Sequence, residues 1–262
     1  MGGEDFDTRI DEIVLLIKEK KELQSLDDNF IKKKILVKID SKTKEKLEGS
    51  KSVAQFSRSK EYNALRSAVR KELRETYGVF ELETRDLREK LLAQLKTTEE
   101  KDLVVRELLA THQSSRERLP FYSLFYEELK KIIPRWETVL ELGCGLNPIS
   151  YPLLVEKIGA TPKYICCDIA SSDMRFLTEY FTTMNITGEA CVLDAHEHEA
   201  VETILEQEKP DVVFMLKLLD TLESTQRHNT KKLLPRIAIH TKYLVVSFAT
   251  ISLGGGKTIG DD

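Results

Sequence analysis

Cysteine is scarce in this chain: four in 262 residues, at Cys144, Cys166, Cys167 and Cys191. Their spacing fits neither a zinc site nor a disulfide framework, so free thiols in a reducing compartment are expected. No apolar run reaches the length that crosses a bilayer, and Met1–Thr8 is polar and acidic rather than signal-like. The expectation is a soluble, cytoplasmic protein without a membrane partner. An excess of positive charge is also missing. Lys and Arg number 40 against 44 Asp and Glu, a net of −4, which excludes a nucleic-acid binder that is basic throughout. No strand-like stretch precedes residue 137, and neither an internal repeat nor a low-complexity segment occurs.

The charge that is present is unevenly placed. Residues 29–75 carry 14 Lys/Arg and 6 Asp/Glu, whereas residues 111–262 carry 16 and 21. A basic lobe is joined to a mildly acidic one. The apolar content of 41% is enough for a packed core.

Ile10, Ile13, Val14 and Ile17 recur at helical spacing and predict a helix over 8–24. Asp27-Asp28 caps a second, with Phe30, Ile31, Ile35, Leu36 and Ile39 on its apolar face. The pattern weakens over 42–59, where Gly49-Ser50 marks a loop. Tyr62, Leu65, Val69, Leu73 and Tyr77 define another helix, closed by Gly78. Helices over 82–95, 99–111 and 116–133 follow, and Pro134 stops the last. Then the period changes. Apolar runs of strand length at 138–142, 163–168, 189–194, 211–216 and 242–248 alternate with helix-compatible segments near 149–158, 171–185, 197–207 and 224–240. Such alternation predicts parallel strands with crossover helices. The expected class is α/β: a Rossmann-like, mostly parallel sheet preceded by an all-helical N-terminal domain, with domains at 1–110 and 111–262. The stretch 249–262, with Gly254-Gly255-Gly256, reads as a tail.

The chemistry concentrates at the strand ends. Glu141-Leu-Gly-Cys-Gly-Leu-Asn-Pro148 places a Gly-x-Gly turn between the first apolar strand and a helix. The third glycine of the dinucleotide fingerprint is absent. A short turn flanked by acidic strand ends suits S-adenosylmethionine (SAM) better. Gly143 and Gly145 can adopt left-handed backbone and admit a ligand closely, and a buried Glu141 needs a partner. Asp168, ending the second strand, is placed to accept ribose hydroxyls. Asp194, ending the third, could accept from the adenine amine. Lys217 follows the fourth strand, on the edge that faces cofactor and acceptor. His196 and His198 do not share a helix face, and no metal is expected. Arg116 and Arg118 are candidates for an anion, either a methionine carboxylate or an RNA phosphate.

These residues resemble the 16S ribosomal RNA (guanine-N7) methyltransferases associated with aminoglycoside resistance. The matching segments are His112–Leu119, Leu140–Pro148, Leu216–Glu223 and Val245–Gly255, together with Leu73–Phe80. The resemblance implies a SAM-dependent methyltransferase fold whose helical N-terminal domain docks on the small ribosomal subunit. It implies that Gly143, Gly145, Asp168 and Asp194 hold SAM; Glu141 joins these cofactor candidates on its own position at the strand end. Arg116 or Arg118 would neutralise the SAM carboxylate, and Leu216, Lys217 and Gln226 would border the transfer pocket. Lys32, Lys33, Lys34, Arg66, Arg70 and Lys71 of the basic lobe would contact 16S rRNA phosphates, with the enzyme acting as a monomer. Two other readings stay open: a non-catalytic ribosome-binding homologue, and a SAM methyltransferase with another acceptor.

Overall fold

The computed structural model describes residues 3–74 and 85–248. The chain divides into two compact units, Met1–Val79 and Phe80–Asp262.

The first unit is helical: α1 (Gly3–Ile17), α2 (Asp28–Lys38), α3 (Ser41–Glu48), α4 (Val53–Phe56) and α5 (Lys60–Leu73). Short polar side chains start four of these. Asp27 accepts from the Phe30 amide at 3.0 Å and Asp40 from Thr43 at 2.7 Å. Ser52 accepts from Gln55 at 3.2 Å and Ser59 from Tyr62 at 3.1 Å. Each such cap contributes ~1 kcal/mol. The caps at Asp40 and Ser52 explain why the weakly periodic stretch 42–59 is largely helical. Leu36, expected on the apolar face of α2, is exposed.

The first helix ends at Ile17, not near residue 24, because a tertiary contact takes over its carbonyls. Buried Arg70 donates from Nε to Ile17 O at 3.2 Å and from Nη2 to Leu16 O at 2.7 Å. Arg70→Met would leave those carbonyls without this partner. We expect a loss of roughly 2 kcal/mol in stability, read by urea denaturation. Tyr77 and Gly78, which were expected to end α5, lie outside the described residues.

The second unit opens with α6 (Arg85–Leu95), α7 (Lys101–Ala110), α8 (Gln113–Arg118) and α9 (Tyr122–Ile132). The helix expected over 116–133 is thus two helices, parted around Pro120, whose ring cannot sit in a helix interior without breaking it. Five strands follow: β1 (Thr138–Leu142), β2 (Lys163–Asp168), β3 (Gly188–Val192), β4 (Val212–Leu216) and β5 (Tyr243–Ser247). The crossovers are α10 (Tyr151–Ile158), α11 (Ser171–Met184), α12 (His198–Glu208) and the pair α13 (Leu219–Thr225) and α14 (Asn229–Ala238). The single helix expected near 224–240 is thus broken in two.

All neighbouring strands pair in parallel, in the order β3-β2-β1-β4-β5. β4, Val-Val-Phe-Met-Leu, is buried throughout, as an inner parallel strand with both faces covered must be. One face packs Val139, Tyr164 and Phe214 with Leu91, Leu95, Val105 and Leu108 of α6 and α7. Those two helices therefore share the sheet's core, and the division falls at 79/80 rather than at 110. The other face packs Leu140, Ile165 and Met215 with Val201 and Leu205 of α12 and Leu233 and Ile237 of α14. Among the described residues no helix is long and apolar enough to cross a membrane.

Candidate cofactor and methyl-acceptor site

The strand order reverses between β1 and β4, which opens a crevice beyond their carboxyl ends. The glycine turn occupies it. Gly143 and Gly145 have φ of +63° and +50°, conformations that cost an L-residue roughly 1–2 kcal/mol. Contacts tighten the requirement. A Cβ on Gly145 would stand 2.9 Å from His112 Cε1, and one on Gly143 2.6 Å from Leu218 Cδ1. The Cys144 amide donates to Cys167 O at 3.1 Å, fixing the turn against β2.

Asp168 ends β2 and grips the same turn. Its Oδ2 accepts from the Gly145 amide at 2.9 Å and its Oδ1 from Ala170 at 3.1 Å. Burial raises its carboxyl to about 6, against the lowering effect of those amides. Glu141 is fully buried. Its Oε2 accepts from Tyr164 OH at 2.8 Å and from Asn147 Nδ2 at 3.1 Å, while Oε1 has no hydrogen-bond partner. Burial raises the Glu141 carboxyl to about 7, and the Arg118 charge and the two hydrogen bonds oppose it.

Four tyrosines from distant segments brace the turn that leaves the glycines. Tyr122 donates to Asn147 Oδ1 at 2.8 Å, Tyr126 lies 2.6 Å from Ser150 Oγ, and Tyr180 donates to Ile149 O at 2.9 Å. With Tyr164 on Glu141 they form a buried polar network, which specifies one arrangement when its members are satisfied. The sequence reading singled out none of these tyrosines. They sit at ordinary core positions, and only Asn147, inside the motif, hinted at them.

Arg116 and Arg118 take different places. Arg116 is exposed, whereas Arg118 is half-buried and points its guanidinium inward. Arg118 Nε donates to Ser114 O at 3.2 Å and Nη2 to Ser114 Oγ at 2.7 Å, while Nη1 is buried without a hydrogen-bond partner. Burial and the nearby Arg88 and Arg118 charges lower His112 to about 3, so its ring beside Gly145 is neutral. Two buried polar atoms of opposite charge, Arg118 Nη1 and Glu141 Oε1, are thus left without hydrogen bonds around the turn. An α-amino-acid zwitterion offers each what it lacks: a carboxylate to the guanidinium and an ammonium to the carboxylate.

Beyond β4 lies a cavity of about 460 Å³, lined by Arg118, Phe121, Tyr122, Leu216, Lys217 and Phe248 among others. Leu216 is buried at the strand's end. Lys217 adopts a left-handed φ of +59°, held by its amide on Ser247 O at 2.9 Å and Ser247 Oγ at 3.1 Å. Strain of this sort persists only where the surroundings over-determine it. Lys217 Nζ is paired with Glu117 Oε2 at 2.5 Å. Burial works to raise Glu117, but hydrogen bonds from Lys217 and Gln113 leave its carboxyl below the usual value. Sequence reasoning missed Glu117, whose partner lies 100 positions away. Phe121 and Phe248 are each 61% exposed on the cavity rim.

Two other expected site residues make local contacts. Asp194 accepts from the His196 amide at 2.9 Å and lies 2.8 Å from its Nδ1, closing a local turn after β3. Gln226 is exposed at the end of α13 and accepts from Asn229 Nδ2 at 3.1 Å. No group of three or more His, Cys, Asp or Glu suited to a metal occurs among the described residues.

In the helical unit much of the basic charge is already engaged. Lys32 pairs with Asp11 at 2.8 Å and Lys34 with Glu72 at 3.2 Å. Arg70 is committed to α1, a correction to its expected place among the RNA contacts. Arg66 donates to Asn63 Oδ1 at 3.0 Å and lies over the Tyr62 ring. Lys33 and Lys71 are exposed. Residues 1–28, with nine acidic and four basic side chains, offset part of the positive stretch that follows.

The sequence model of the ribosomal RNA methyltransferase (FmrO) family matches residues 42–259. The chain belongs to that family. This FmrO-family chain is 31% identical over 149 residues to a 16S rRNA (guanine(1405)-N(7))-methyltransferase of Micromonospora rosea, 57% of this chain and 51% of that one. It is 23% identical over 212 residues to the enzyme of the same name from Proteus mirabilis, 73% of this chain and 70% of that one. The chain spans about half the length of the first curated relatives it matches. The crystal structure of the 16S rRNA methyltransferase RmtF, in complex with S-adenosyl-L-homocysteine, superposes with a TM-score of 0.68 at 23% identity. That match covers 96% of this chain and 85% of RmtF. The likeness shows that the fold expected from the sequence, a Rossmann-like parallel sheet preceded in the chain by a helical N-terminal region, is the fold of this FmrO-family chain.

Proposed function

We propose that this chain transfers a methyl group from SAM to N7 of a guanine in small-subunit ribosomal RNA, as a monomer in the cytoplasm. The carrying observation is the pair of buried, unpartnered atoms Arg118 Nη1 and Glu141 Oε1 beside a doubly left-handed glycine turn, in a member of this family. Relatives named 16S rRNA (guanine(1405)-N(7))-methyltransferase support the acceptor, and the SAH-bound RmtF supports the cofactor.

SAM supplies a methyl group activated by its sulfonium. Arg118, Glu141, Gly143, Gly145 and Asp168 would hold it, with Asp194 at the nucleobase end. The rest is positioning and desolvation. Guanine N7 has an in-plane lone pair and no proton to lose, so the chain needs no general base. Lys217, salt-bridged to Glu117, serves as a fixed cation at the acceptor edge. The target base must leave the deep groove of A-form RNA to be reached. Phe121 and Phe248 on the cavity rim offer it faces to stack on.

The test is incorporation of label from methyl-labelled SAM into small ribosomal subunits, with primer extension to map the position. Label in a 16S guanine is the expected outcome. A protein that binds S-adenosylhomocysteine but labels no subunits is a binding homologue or acts on another acceptor.

A further inference from the structure

We propose that Arg227, Lys231 and Lys232 form a phosphate-contacting surface on the sheet domain, gripping the RNA backbone at the carboxyl edge of the sheet. The inference rests on the acceptor proposed above and adds a surface that neither the sequence reading nor the relatives assign. All three side chains are exposed. The first turn of α14 contains no acidic residue, and none of the three makes an ion pair among the described residues. Several other cations of the same unit are paired, among them Lys96 with Glu179, Lys163 with Glu208, Lys217 with Glu117 and Arg236 with Glu202, and single exposed cations such as Lys130 and Arg175 are not grouped as these three are.

The carboxylate nearest in sequence to Arg227 is already in use. Glu223 accepts from the His228 amide at 2.6 Å, the Thr230 amide at 3.3 Å and Thr230 Oγ1 at 2.7 Å. It caps α14 and leaves the lysines alone. Cations also sit at the end of a helix where the backbone dipole favours acids. Local stability therefore argues against this cluster, which points to an external anion.

Topology says where that anion lies. β4 runs toward Lys217, and β5 runs parallel to it, so the α13–α14 crossover must return the chain to the starting edge of the sheet. α14 therefore begins at the carboxyl edge, on the side of the glycine turn and Lys217. Three exposed point charges with no enclosing cavity suit a polyanion, not a discrete small ligand. In the helical unit, by contrast, Lys32, Lys34 and Arg70 already have intramolecular partners.

The experiment compares the parent with the R227E/K231E/K232E variant in binding to small ribosomal subunits over a series of salt concentrations. Glutamates near a helix start are favourable, so folding is preserved, and S-adenosylhomocysteine affinity and Tm serve as controls. The expected result is unchanged S-adenosylhomocysteine affinity, with subunit affinity lower by ~100-fold at about 0.1 M salt and a log–log salt slope flatter by about 2. Subunit affinity and slope within twofold of the parent would overturn the inference while leaving the acceptor intact. A parent that binds S-adenosylhomocysteine but not subunits would overturn the acceptor reading and this surface with it.

Discussion

Glu141→Gln yields a folded protein that binds S-adenosylhomocysteine at least ~100-fold more weakly and is no less stable at pH 8. The loss is expected because a ligand ammonium buried against a carboxylate loses its counter-charge, worth several kcal/mol in a water-excluded site. The stability follows from the direction of the shift. Glu141 sits near 7 in the folded protein and about 4.3 in an unfolded chain. The folded state therefore holds a proton that the unfolded state has released between those values. This group's contribution to stability falls as pH rises through that window and levels off above about 7. Glutamine cannot ionise and escapes the penalty, while its carbonyl oxygen can still accept from Tyr164 and Asn147. Thermal melts at pH 5 and pH 8 check it: the variant should gain on the parent at the higher pH. In the parent, S-adenosylhomocysteine affinity should rise as pH climbs through about 6 to 7, where Asp168 and Glu141 ionise. Affinity that is flat across that range would remove the two carboxylates from ligand binding.

Gly145→Ala gives the second large effect: loss of cofactor binding together with roughly 1–3 kcal/mol of stability. The backbone there is left-handed, which costs alanine roughly 1–2 kcal/mol. The added methyl also meets His112, buried and neutral, at 2.9 Å. Displacing that ring moves the turn whose amide Asp168 grips. Gly159→Ala is the control. It carries a similar φ of +73°, but its nearest neighbour is Lys130 Nζ at 3.9 Å. That variant should pay the backbone penalty and keep its affinity. Equal losses of affinity in both would assign the effect to general destabilisation rather than to the turn.

How much of this was legible depended on how locally each feature is encoded. The glycine turn and the parallel α/β class could be read, because a Gly-x-Gly between an apolar strand and a helix constrains both neighbours within a few residues, whereas the strand order could not. The five strands were located to within two residues, most directly β1, β2 and β4, since buried parallel strands are continuous apolar runs. Helix boundaries were harder. Periodicity carried across Pro120 made one helix of two, and the end of α1 depends on Arg70, 53 positions away. The choice of Arg118 over Arg116 was a matter of which face of a short helix turned inward. A count of charges found the basic stretch but could not show that Lys32, Lys34 and Arg70 are engaged within the unit. The tyrosine network was invisible because aromatic residues at helical spacing look like core, and here they are core whose hydroxyls happen to converge. The segment that begins at Ala249 lies outside the described residues.

The most direct test of the central claim is calorimetric titration of S-adenosylhomocysteine into the wild-type protein and Asp168→Ala at pH 7.5. The site described here predicts one saturable binding event in the wild type and none measurable in the variant, with both proteins melting cooperatively. A wild type that releases no binding heat at several temperatures, or a variant that binds as tightly as its parent, would contradict it.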